Sequence, residues 1–313
     1  MSKTIITTRT GRVLLARLSN SPHALMSDQM VAELDDLVAM ADSDDAIGAV
    51  IFTGAAPGIF LAHYDVSELL RVAQESPPIT ETQGRMALRL IRRLTSLPGL
   101  SPLVTKSPLA GLMKLNRMHD VLLRMGRSGT IYIAAINGTT AGGGLELALA
   151  CDFRYIADDG EVAQPEILLG FPPGGGGTQR LSRLIGRAKA LELMLTGRQV
   201  LPEEAKSLGL VTDTFPSDRL IDEVAAIAQI LATRFKPAVS VIKRAALEGS
   251  SLPLEDGLEC EKVGFLAMLG TQGAQKAMAA YVNYTNKQGV LPATDAAARE
   301  KLLAGTFSPF HDV

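Results

Sequence analysis

The chain has no tryptophan, and phenylalanine and tyrosine bring its aromatic share to only 4%. With so few rings to stack on bases, and 31 basic residues against 33 acidic ones, it lacks the platform and the positive surplus of a general nucleic-acid binder. The same balance gives no pull towards an anionic membrane. Cysteine is nearly missing: Cys151 and Cys260 make neither a disulfide framework nor a ligand cluster, and read as free thiols of a reducing compartment. No histidine, cysteine and aspartate set has metal-ligand spacing, so no metal is expected. No apolar run reaches the roughly 18 residues of a membrane span, and the opening MSKTIITTRTGRV lacks the apolar core of a signal peptide. A cytoplasmic protein is expected, without nucleic-acid or membrane partners.

What is present is apolar side chain and glycine. The 313 residues are 47% hydrophobic, enough to bury a sizeable core in one large domain or two. Residues 5–9 and 13–18 alternate around Thr10-Gly11, a hairpin signal. Ser27 is placed to cap a helix running to 41, and 49–52 reads as a central strand. A short strand ends at 60–65 and feeds a helix from 66 to about 73. A helix over 109–125, helices near 175–184, 187–195 and 202–208, and a strand at 211–214 follow. Residues 217–286 read as helical throughout, and those from 287 as an irregular arm. Repeated strand–helix units predict a layered α/β architecture.

The stretch 131–181 carries the chemistry. An apolar β-branched run at 131–136 reads as a buried strand, Asn137-Gly138 turns the chain, and Gly142-Gly143-Gly144 opens an apolar helix. A helix N-terminus of glycines offers unshielded backbone N–H groups to negative charge. Glu146 is the one acid in that helix, flanked by Leu145 and Leu147. Further on, Glu166 follows Gln164-Pro165 and precedes the cluster Gly174 to Gly177. Two carboxylates in apolar, glycine-rich surroundings beside backbone donors suggest acid/base chemistry next to a developing oxyanion. Read without any resemblance, Glu146 could also be a surface glutamate and Glu166 a turn cap. The glycine cluster lacks a following Lys-Ser/Thr and is no nucleotide P-loop.

AAINGTTAGGGLELALACD, QPEILLGFPPGGGGTQRL and LTGRQVLPEEAKSLGLV together resemble the crotonase (enoyl-CoA hydratase/isomerase) superfamily, most closely its hydratases. The resemblance covers roughly residues 3 to 286, apart from an extra segment at about 76–108. It implies an α/β spiral of repeated β-β-α units over 1–216, a C-terminal helical trimerisation layer over 217–286 and a tail over 287–313. It implies hydration of a 2-enoyl-CoA thioester to 3-hydroxyacyl-CoA, with CoA as part of the substrate and no metal or redox cofactor. The assembly implied is a homotrimer or a dimer of trimers. Glu146 and Glu166 match the catalytic acids, Glu166 protonating Cα and Glu146 deprotonating the water. The backbone N–H groups of Tyr64 and Gly143 match the oxyanion donors. Ala24, Ala62, His63, Asp65, Gly142 and Gly174 fall at substrate-binding positions, with the Gly174 N–H a further holder of the water.

The chain departs from the family at two points. His63 stands where a glycine is usual, and Ser67 where many hydratases carry a lysine. The extra segment supplies other cations. Arg85, Arg89, Arg92 and Arg93 fall on one face of a helix and are candidates for the CoA phosphates, or else a solvated surface. Its opposite face, with Met86, Leu90, Ile91, Leu94 and Leu97, is expected to roof the acyl channel. Two other readings stay open: an enoyl-CoA isomerase or another CoA lyase of the same fold, and a non-catalytic scaffold homologue.

Overall fold

The computed structural model describes residues 3–75, 78–95 and 110–311, with the side chains of 92–95 and 110–113 left aside. Ten strands, β1 (Ile5–Thr10), β2 (Val13–Leu18), β3 (Ala49–Gly54), β4 (Gly58–Leu61), β5 (Ile131–Ile136), β6 (Gly138–Ala141), β7 (Phe153–Ala157), β8 (Glu161–Ala163), β9 (Gln199–Val200) and β10 (Asp213–Phe215), form two sheets among the described residues. The larger is ordered β1-β2-β3-β5-β7-β10 and is parallel except for the β1–β2 hairpin. The smaller is ordered β4-β6-β8-β9, with β9 antiparallel at its edge.

One step recurs three times. The chain leaves a long strand of the large sheet, turns, lays a short strand in the small sheet and enters a helix. β3-β4 leads to α2 (Val66–Glu75), β5-β6 to the site-bearing helix Gly143–Ala150, and β7-β8 to a 3₁₀ turn at Glu166–Leu169. Before the first of these steps comes α1 (Asp28–Ser43), whose cap Ser27 accepts the Met30 N–H as expected. Between the first and second come α3 (Glu81–Thr95) and α4 (Ala110–Arg127). The helix Gly143–Ala150 is therefore α5, and α6 (Gly177–Ile185), α7 (Arg187–Thr196) and α8 (Pro202–Ser207) follow.

The central strands are buried on both faces, as parallel strands covered on each side must be. Because successive side chains point oppositely, β3 and β5 serve two cores. Val50, Phe52, Tyr132, Ala134 and Ile136 pack with α1, α4 and α5. Ala49, Ile51, Ile131, Ile133 and Ala135 pack with Leu220, Val224 and Ala228 of α9 (Leu220–Leu231). The expected boundary at 217 therefore falls inside the core: α9 is the cover of the large sheet rather than part of a separate layer. The strand expected at 211–214 lies slightly later, at Asp213–Phe215.

Beyond α9 run α10 (Lys236–Leu247), α11 (Leu254–Leu269) and α12 (Gln272–Gln288). The tail is no irregular arm. It forms α13 (Ala296–Ala304), started by the Asp295 carboxylate accepting the Ala298 N–H at 2.8 Å and closed by Gly305 at φ 75°. Two ring contacts then fold it back, Phe307 on Tyr284 and Phe310 on Phe235, with centroids 5.6 and 5.1 Å apart.

A buried ion pair ties α10 to the sheet. Lys243 Nζ donates to Asp152 Oδ2 at 2.7 Å and to the Thr130 carbonyl at 2.8 Å, and it lies 5.1 Å over the Tyr132 ring. Asp152 also accepts the Tyr132 N–H at 2.8 Å, holding the turn after α5 against the start of β5. Removing one partner leaves the other charge buried and unpaired. Lys243→Met is therefore expected to destabilise the protein by about 3 kcal/mol, and Lys243→Met with Asp152→Asn by less. Urea unfolding of the two variants measures the difference.

Candidate active site

Two loops meet at the N-terminus of α5. In the first, which follows β4, the Ala62 N–H donates to Ala24 O, the Met26 N–H to His63 O and the Asp65 N–H to Met26 O, at 2.7–3.0 Å. This pairing consumes the groups on either side of the Tyr64 N–H but leaves that N–H itself without a partner among the described residues. The second loop begins with Gly142, whose N–H donates to Ala163 O at 3.1 Å and whose φ of 49° suits glycine. Gly143 follows as the first helical residue, with its N–H unpaired as the helix geometry requires. The two free donors are neighbours: a Cβ placed on Gly143 would lie 3.2 Å from Tyr64 Cβ and 3.5 Å from Tyr64 N.

The Tyr64 ring is anchored as well. Its hydroxyl donates to Asp28 Oδ1 at 2.5 Å, and Asp28 is paired with Lys114 of α4. Burial and the Asp28 carboxylate hold the phenol proton well above its ordinary range.

Glu146 lies in the first turn of α5, 3% exposed. Its Oε1 accepts the N–H of Gly175 at 2.7 Å and of Gly177 at 2.8 Å, the latter at the N-terminus of α6. No side chain fits at Gly175, because a Cβ there would lie 2.4 Å from both Glu146 Oε2 and Met118 Cε. Burial pushes the Glu146 carboxyl up to about 7, the charge of Glu166 adds to this, and the two N–H groups and Arg180 oppose it. Glu166 opens the 3₁₀ turn. Its Oε1 accepts from Gln164 Nε2 at 2.7 Å, while Oε2 is buried without a partner among the described residues. Burial raises its proton affinity too, against the pull of its own N–H, the Gln164 amide and His63.

Both carboxylates line a cavity of about 400 Å³, together with Tyr64, His63, Gly142, Gly143 and Gly174. Its remaining surface is mainly apolar: Leu69 and Val72 of α2, Leu115 and Met118 of α4, and Leu168 and Phe171 after Glu166. A buried, unpaired carboxylate oxygen, a base titrating near neutrality and two free backbone donors thus share one apolar space.

Residues 113–288 match the family described as enoyl-CoA hydratase/isomerase. The chain belongs to that family. It is 32% identical over 282 residues to a probable enoyl-CoA hydratase of Rhizobium meliloti (strain 1021), covering 90% of this chain and 95% of that one. It is 30% identical over 265 residues to a mitochondrial enoyl-CoA hydratase of Pongo abelii, covering 84% and 79%. Among solved structures, an enoyl-CoA hydratase from Bacillus anthracis matches with a TM-score of 0.72 at 29% identity, over 90% of this chain and 96% of the other.

Against the expectations raised by the family resemblance, several residues fall elsewhere. Ala24, Ala62 and Asp65 are not in the cavity wall. Ala24 and Ala62 pair the loop, and the Asp65 carboxylate accepts the Ser67 N–H and hydroxyl at 2.8 and 2.6 Å, starting α2. Arg85 and Arg89 lie on α3, outside the cavity; Arg92, Arg93, Leu94 and Leu97 fall outside the described side chains. Of the apolar face of α3, the described side chains Met86, Leu90 and Ile91 do not line the cavity. Met86 and Leu90 are 64% and 49% exposed, Ile91 is buried, and the wall is built by α2 and α4 instead. His63 Nδ1 lies 2.7 Å from the Tyr64 carbonyl oxygen, where it can donate. The glycine loop meets the base through Gly175 and Gly177, two residues that sequence reasoning passed over for Gly174. Gln164, Asp28, Lys114, His119 and Arg180 were also missed; only Gln164, within the QPE triplet, had a local signal.

A carboxyl whose proton affinity folding raises contributes stability that is complete below its ordinary value of 4.5 and lost as pH rises through about 7. Glu146→Gln keeps an oxygen for both N–H donors but cannot ionise. It is expected to match the wild type near pH 4.5 and to exceed it at pH 8 by on the order of 3 kcal/mol. Chemical denaturation at the two pH values tests this.

Proposed function

We propose that the protein adds water reversibly across the double bond of a 2-enoyl-CoA thioester to give 3-hydroxyacyl-CoA. The observation that carries this reading is the pair of buried carboxylates, both with raised proton affinity, facing one apolar cavity beside two unpaired N–H groups. The thioester oxygen sits between the N–H groups of Tyr64 and Gly143, where the charge of the developing enolate is met by fixed dipoles. Ionised Glu146 takes a proton from water as its oxygen bonds to Cβ, and protonated Glu166 delivers a proton to Cα. Water has then been added. Glu146 carries the new proton, Glu166 is ionised, and exchange with solvent returns both.

The geometry supports this division of roles. Two N–H groups stabilise Glu146 as an anion, which suits a base. Glu166 has one oxygen without a donor, which suits a group that enters the reaction protonated. The reaction calls for no metal or redox cofactor, since CoA belongs to the substrate. The scarcity of cysteine supports a cytoplasmic setting.

Glu146→Gln and Glu166→Gln are each expected to lower kcat by at least about 10²-fold with folding intact. The assay follows loss of enoyl-thioester absorbance over short, medium and long acyl chains. A variant with near-normal hydration removes that residue from the mechanism. Migration of a 3-enoyl double bond without hydration would favour an isomerase.

The reading includes a homotrimer or a dimer of trimers built through α11 and α12. Leu254, Phe265 and Leu266 of α11 are 72%, 61% and 66% exposed, and Val282 of α12 is 53% exposed, a face that one copy of the chain leaves in water. Light scattering at micromolar protein is expected to give three or six chain masses; a monomer overturns the assembly.

A further inference from the structure

Glu146 depends on the direction of two backbone N–H groups, and one of them belongs to a peptide with very little to hold it. The Gly175 N–H that donates to Glu146 Oε1 shares its peptide plane with the Gly174 carbonyl. Glycine on both sides makes rotation of that plane cheap, and a half-turn would aim a carbonyl oxygen at the carboxylate. Gly174 is exposed, and a Cβ on it would meet nothing within 4 Å, so on the side that carries the carbonyl no packing holds the plane, whereas Gly175 is buried. What fixes it is His119. Its Nε2 lies 2.7 Å from the Gly174 oxygen, and because a carbonyl only accepts, Nε2 is the donor.

We propose that His119 is a positioning residue that locks the Gly174–Gly175 peptide so that its N–H stays aimed at the catalytic base Glu146. A planar trans peptide holds its C=O and N–H in opposite directions, so pinning the oxygen sets the hydrogen. A donor on the carbonyl also polarises the peptide and strengthens its N–H. The anchor itself is firm. His119 follows Met118, and α4 is seated by Met118, Val121, Leu122 and Met125 in the core and by ion pairs from Arg117 and Arg124 to Asp35 of α1. The next peptide along is held separately, by Arg180 donating to the Gly175 oxygen at 3.1 Å. The other groups facing Glu146 are the Gly177 N–H, Glu166 and Arg180, whereas the hydrogen bond of His119 goes to the Gly174 carbonyl.

The test compares His119→Leu, which keeps bulk and loses the donor, with His119→Gln, whose amide N–H can reach the carbonyl. Glu146 is titrated directly by carboxyl carbon NMR in the full-length protein, assigned with Glu146→Gln. His119→Leu is expected to move the Glu146 midpoint upward by about one pH unit, the scale of a weakened hydrogen bond to a charge. The acid limb of kcat should move with it, kcat should fall about tenfold and KM should change little. His119→Gln should return all of these towards the wild type. A midpoint within roughly 0.2 unit of the wild type in His119→Leu, or equal behaviour of the Leu and Gln variants, overturns the proposal. The kinetic part rests on the hydratase reading, whereas the NMR titration does not. A wild type without hydration, together with the shifted midpoint in His119→Leu, would therefore sink the hydratase reading and leave the positioning role standing.

Discussion

A carboxylate set among leucine and alanine in a helix and 3% exposed is largely cut off from the solvent that would stabilise its charge, and the cavity is organised around that difficulty. Glu146 answers it with one oxygen shared by two glycine N–H groups, one of them at the start of another helix. Burial and the nearby Glu166 favour the neutral form; the amides and Arg180 favour the ionised one. Burial prevails, moving the group from its ordinary 4.5 to about 7, so that it changes its charge near neutral pH. A base there is strong enough to take a proton from water and still able to give it up. The arrangement requires backbone at close range, so side chains are excluded where the loop approaches: a Cβ at Gly175 would occupy the place of the carboxylate.

The same economy appears on the oxyanion side. The loop around Tyr64 is held by short hydrogen bonds to the segment before α1, and each bond uses a group next to the one that is left free. Asp28 and Lys114 fix the Tyr64 ring and tie this loop to α4. Through Met118, the same helix packs against the glycine loop, which also lines the cavity. The loops bearing the donors thus share a rigid neighbour, and their separation is set by a helix rather than by their own conformations.

Much of this was legible before any coordinates. Periodicity sufficed for β1, β2, β5, α1 and α5, because these elements announce themselves through alternation, a serine cap or an unbroken apolar run. Glu146 and Glu166 stood out as acids in the wrong surroundings. Other features lay beyond local reading. The role of α9 as cover of the large sheet depends on contacts with strands far earlier in the chain. The tail helix had a signal, Asp295 as cap and Gly305 as stop, which the polar, proline-containing approach to it obscured. Gly174 was singled out by the family resemblance, and four glycines in a row carry no side-chain cue to which other N–H turns inward. The apolar face of α3 suggested a roof, but which surface a helix covers is not written in its own periodicity, and among the described residues α2 and α4 supply the wall.

The double use of β5 has a consequence for how the protein is made. One face of the strand meets α1 and α4, which precede it, but the other waits for α9, which begins at Leu220, 84 residues after Ile136. At translation rates of roughly 5–20 residues per second, that interval lasts about 4–17 s. For that time Ile131, Ile133 and Ala135 have no cover, although the strand, the glycine turn and Glu146 have all been synthesised. The nascent chain therefore passes through a stage in which its chemistry is encoded and one apolar face of its larger sheet is open. A chaperone that shields extended hydrophobic segments would find its target there, and release would be timed by the arrival of α9.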